Sequence, residues 1–126
     1  LSVSSDTARI ELTGLGVVSA GAYRILGSTA SAGGSADFVW GGPTVATLDP
    51  AFESVAILAP DGAVITDVFW DQTQGWPDVD GQSVQYDEEL AGDRLDPTSW
   101  CSSTTLYDGT NAGTPGAENF TCGDVP

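Results

Sequence analysis

Ser54-Val55-Ala56-Ile57-Leu58, Ala59-Pro60-Asp61-Gly62-Ala63 and Val64-Ile65-Thr66-Asp67-Val68-Phe69-Trp70 run consecutively through the middle of the chain, and they read as two strands joined by a turn. β-branched and aromatic residues fill the apolar runs, and the Asp-Gly pair between them supplies the positive φ that a tight hairpin needs. In the second run Val64, Thr66, Val68 and Trp70 fall on one side, and Ile65, Asp67 and Phe69 on the other. Both sides carry apolar bulk, which predicts a central strand with Trp70 in the core.

Outward from this hairpin, short β-rich runs recur at Ala8 to Thr13, Ala22 to Leu26, Phe38 to Trp40, Ser83 to Tyr86 and Ser103 to Tyr107. Gly, Pro, Asp and Ser separate them, and no segment carries a sustained helical stripe. The spacing predicts an all-β fold of the β-sandwich type. Ser28 to Ser35 and Asp108 to Glu118 are too rich in turn formers for regular elements and read as loops, the first as a mobile surface connection. At 126 residues the chain reads as one domain, with 101–126 as its loop-rich closing segment. It starts at Leu1, without a Met or a signal-type apolar stretch, and so reads as a processed or shortened product.

The charge is lopsided: 18 acidic side chains stand against Arg9, Arg24 and Arg94, with no Lys and no His, for a formal charge of -15. Such a surface repels phosphate backbones and anionic lipid, which argues against nucleic-acid or membrane-surface partners. No apolar run approaches the length of a spanning helix, so membrane insertion is not expected. Without His or Lys, triads and lysine nucleophiles are excluded, and only a carboxylate pair remains as conceivable catalytic equipment. The expectation is a protein that is not an enzyme and needs no cofactor.

Cys101 and Cys122 are the only cysteines. Two thiols and no His give too few soft ligands to close a zinc site, whereas a disulfide across such a loop would contribute about 3 kcal/mol in an oxidising compartment. The pair therefore predicts an extracellular or cell-surface location.

Two further features bear on ligands. The acidic stretch 71–89 holds Asp78, Asp80 and Asp87, the carboxylates that Ca²⁺ would use. Aligning Gly81 with the invariant glycine of an EF-hand, however, puts Trp76 at the first ligand position and Asp87 where a bidentate Glu belongs, so an acidic loop between strands is the plainer reading. Among the four tryptophans, Trp76 sits between Gly75 and Pro77 and is expected at the surface, as a possible platform for carbohydrate. Asn119-Phe120-Thr121 matches a glycosylation sequon, a pattern short enough to arise by chance.

Taken in order, Val18-Ser19-Ala20-Gly21-Ala22-Tyr23-Arg24-Ile25-Leu26, the central hairpin, Gly81-Gln82-Ser83-Val84, Trp100-Cys101 and the closing Gly113-Thr114-Pro115-Gly116-Ala117-Glu118-Asn119 resemble the lamin-tail domain in its bacterial secreted form. Ser19 stands where that family usually has Pro. The resemblance covers most of the chain and implies an immunoglobulin-like β-sandwich without catalytic residues, used for protein contacts or as an accessory of secreted proteins. It carries over no ligand-binding residue. The family opens with one or two strands that precede Leu1 here. Either they lie outside the numbered sequence, or Ala8 to Thr13 replaces them, or a neighbouring chain donates a strand. The functional expectation is an extracellular structural or adhesive protein-interaction module that assembles with copies of itself through an incomplete sheet edge. The alternative is a calcium- or carbohydrate-binding accessory module.

Overall fold

A computed structural model describes residues 1–5, 9–40 and 48–122. It is all-β, with strands β1 (Ser2–Ser5), β2 (Arg9–Glu11), β3 (Leu26–Gly27), β4 (Phe38–Val39), β5 (Phe52–Leu58), β6 (Val64–Asp71), β7 (Val84–Tyr86) and β8 (Trp100–Ser102). Three single 3-10 turns, Ala32–Gly34, Gln72–Gln74 and Pro97–Ser99, interrupt them. No helix among the described residues is long and apolar enough to cross a membrane.

The expected hairpin forms. β5 and β6 pair antiparallel from Phe52 opposite Asp71 to Leu58 opposite Val64, with a register shift at Ile57/Leu58. Gly62 adopts φ 88°, Ala59 N–H donates to Ala63 O at 2.8 Å, and the Asp61 carboxylate accepts from Ala63 N–H at 2.9 Å. The turn thus closes on its own backbone and on one side-chain acceptor.

The position of β6 differs from the expectation of a central strand. The sheet order is β2-β1-β5-β6, so β5 is internal and β6 lies at an edge. β1, which the serine-rich Ser2-Val3-Ser4-Ser5 did not signal, takes the other side of β5, pairing Val3 with Ile57 and Ser5 with Val55. Gln72 N–H donates to Ala51 O opposite it, which fixes the hydrogen-bonding alternation of the hairpin. Trp70, Val68 and Thr66 therefore face their backbone groups toward β5, while those of Asp67, Phe69 and Asp71 point outward.

The cross-strand registers sort the sheet into two faces. Val3, Ile10, Val55 and Ile57 share the inner one and meet Leu26, Trp40 and Leu48 around a gap of about 170 Å³. Phe52, Ser54, Ala56, Asp67 and Phe69 occupy the outer one. What the sequence suggests as burial on both sides of β6 is thus one packed face and one open face. Trp70 is half-buried rather than fully in the core, with its indole N–H donating to Asp49 O at 2.9 Å.

Elsewhere the strands are shorter than the sequence suggests. Ala22 to Leu26 contributes only the start of β3, which pairs in parallel with β4. Ala8 to Thr13 contributes β2, with Ala8 itself outside the described residues. Ser103 to Tyr107 is no strand: Leu106 makes an isolated bridge to Ala112. β8, over Trp100-Cys101-Ser102, was not anticipated and pairs antiparallel with β7.

The loop Asp108 to Glu118 is irregular as expected, yet firmly tied. Asp108 accepts from the backbone N–H and the side-chain amide of Asn111 and from the backbone N–H of Thr110, which hold its carboxyl below the usual carboxylate range. Ser83 N–H donates to Ala112 O, and Ala112 N–H to Gly81 O.

Candidate functional site

Cys101 and Cys122 form a disulfide with their Cα atoms 5.8 Å apart. The tail it holds is also laced to β7. Gln85 Nε2 donates to Phe120 O at 2.8 Å, Asn119 Nδ2 donates to Tyr86 O at 3.0 Å, and Cys122 N–H donates to the Asp87 carboxylate at 3.1 Å. The amide of the Asn119 sequon is thus already engaged, and its oxygen accepts from Thr114 Oγ1.

The carboxylates suggested for calcium are not brought together. Asp78 and Asp80 are exposed, while Asp87 is only 5% exposed and accepts from the backbone N–H groups of Leu90 and Cys122. Among the described residues no group of three or more Asp, Glu, His or Cys side chains is placed to hold a metal ion. The physical reason is local: Asp87 directly follows β7 and turns inward to cap backbone amides, which removes it from the loop that carries Asp78 and Asp80.

Trp76 also departs from expectation, being only 8% exposed. Gly75, at φ 85°, caps the turn Gln72–Gln74 in the left-handed conformation, and the chain beyond it carries the indole inward rather than out. There Trp76 packs on Trp100 with ring centroids 5.7 Å apart, Trp100 meets Tyr86 at 5.3 Å, and the Arg94 guanidinium lies 4.8 Å from the Tyr86 ring centre. The Trp100 indole N–H donates to Arg94 O, and Tyr86 Oη to Gly92 O.

This cluster forms one wall of an apolar cavity. About 320 Å³ of space lies between β6, which contributes Val68 and Trp70, and the β7–β8 sheet, which contributes Val84 and Trp100. Pro50, Trp76, Pro77 and Val79 complete its apolar lining, and Gln72, Asp78 and Gln82 are its polar members. The volume falls within the ~300–1,000 Å³ of small-molecule sites. The sequence pointed to Trp76 but not to its partners, because Trp70, Trp76 and Trp100 converge only through the packing of separate sheets.

A second surface of note is the β6 edge. Val64 and Ile65 are each 59% exposed, and Phe52 and Phe69 form an edge-to-face pair 5.0 Å apart on the outer face, 52% and 37% exposed. Among the described residues no strand pairs with the outer side of β6. No family model matches the chain, and neither the curated proteins nor the solved structures contain a match to it.

Proposed function

We propose that this chain is an extracellular structural or adhesive module, an immunoglobulin-like sandwich of lamin-tail type without enzymatic activity, that associates with copies of itself through the edge of β6. The observation that carries this reading is the open eight-residue strand Val64–Asp71, flanked by the exposed Phe52–Phe69 pair. An unpaired strand edge that bears exposed apolar side chains is a template for another strand. The disulfide supports an oxidising, extracellular setting.

Size-exclusion chromatography with light scattering on the native, non-reduced chain tests the proposal. Dimers or larger assemblies are expected at micromolar to millimolar concentration, strengthened by salt because copies of charge -15 repel one another. Ile65→Lys with Phe69→Lys should return the chain to monomers without unfolding it, since both side chains face solvent. A wild-type chain that stays monomeric at millimolar concentration in 1 M salt would falsify the reading.

A further inference from the structure

From the cavity between β6 and the β7–β8 sheet we infer a second, independent property: a binding site for a neutral pyranoside, held by Trp70, Trp76 and Trp100 and oriented by Gln72, Asp78 and Gln82. Two of the three indoles are fixed by hydrogen bonds at their ring nitrogens, Trp70 to Asp49 O and Trp100 to Arg94 O. Their rings are therefore set before any ligand arrives, which spares a ligand the cost of ordering them. The third is different: Trp76 is buried over most of its ring beside the cavity, yet its indole N–H has no acceptor among the described residues and is not itself a buried atom, so it reaches solvent. Nor do the side chains of Gln72, Asp78 and Gln82 bond to any described residue.

The cavity thus combines apolar walls with one indole donor, two amides that both donate and accept, and one carboxylate acceptor. A purely apolar ligand would strip water from these groups and leave them unpaired. An anion would meet Asp78 and a chain of charge -15. A cationic head would suit Asp78 and the indole faces but offers no acceptor to the Trp76 N–H and the two amide N–H groups. A neutral ring with an apolar C–H face and equatorial hydroxyls satisfies both kinds of surface: the face lies on indole and proline, and the hydroxyls meet the amides, the carboxylate and the N–H.

Calorimetry and tryptophan fluorescence with cellohexaose and with chitohexaose test the site, the two arms separating a glucose from an N-acetylglucosamine ligand. Both probes are neutral, so attraction to the acidic surface cannot mimic binding. Saturable binding of either, with a shift in tryptophan emission, is expected. Gln82→Ala and Trp76→Phe should each weaken it roughly three- to tenfold, the loss of one hydrogen bond. Trp76→Phe keeps an aromatic ring against Trp100, and Gln82→Ala removes only an unbonded amide, so both variants should fold. Phe52→Ala, on the outer face of the sheet, should bind as wild type. No signal with either probe at millimolar concentration, or affinity unchanged in both cavity variants, overturns the inference.

Discussion

Asp87 shows how a single residue can be legible in type yet misread in role. Its place in an acidic stretch invites a metal-ligand reading, but its carboxylate is buried and spends its oxygens on the backbone N–H groups of Leu90 and Cys122. One carboxylate thus ties the turn after β7 to the disulfide-bonded tail. Asp87→Ala would leave two amides without their acceptor and should lower stability by about 2–3 kcal/mol, measured by urea denaturation with the disulfide intact. An effect below about 0.5 kcal/mol would show that water replaces the carboxylate at no cost. Sequence could not supply this role, because the two partners lie 3 and 35 residues away and only the second contact, formed by tertiary folding, sets the burial. Trp76 was misread in the same manner: its neighbours Gly75 and Pro77 suggest a surface loop, while the direction in which Gly75 turns the chain is a property of the folded backbone.

At the level of elements, the hairpin β5–β6 was readable almost to the residue, because alternation and Asp61-Gly62 are local signals that need no distant partner. Its place in the sheet was not, since that depends on β1, a serine-rich strand with a single apolar side chain. The alternation of backbone groups on β6 also limits how two copies could pair. A two-fold dimer centred on Asp67 would set Asp67 against its own copy, and one centred on Phe69 would set Asp67 against Asp71. Centring on Val68 instead places Asp67 opposite Phe69 and avoids directly opposed carboxylates. Val68 would then face its counterpart in a non-hydrogen-bonded pair, with Cα atoms about 4.5 Å apart, close enough for a disulfide. Oxidation of Val68→Cys should therefore yield a covalent dimer on non-reducing gels, while Asp67→Cys should not. The reverse pattern would move the register to Asp67, and no cross-link at either position would exclude both registers.

For the whole molecule, the few buried apolar side chains, Leu12, Leu58, Trp76 and Ala112 among the described residues, make a thin core, so the disulfide is expected to carry a correspondingly large share of the stability. Reduction should lower the melting temperature by about 10 °C, from a loss of about 3 kcal/mol, as read by calorimetry with and without reductant. A shift of less than 2 °C would mean that the hydrogen bonds from Gln85, Asn119 and Asp87 hold the tail unaided. By itself the sequence determined the β class, the hairpin, the pairing of its only two cysteines and the acidic surface, because each follows from local pattern or from counting. Tertiary structure alone decided that β6 lies at an edge, that Asp78, Asp80 and Asp87 stay apart, and that three tryptophans distant along the chain line one cavity. These outcomes depend on which strands become neighbours, and that is settled by the competition of all inner faces for the same small core rather than by any one segment.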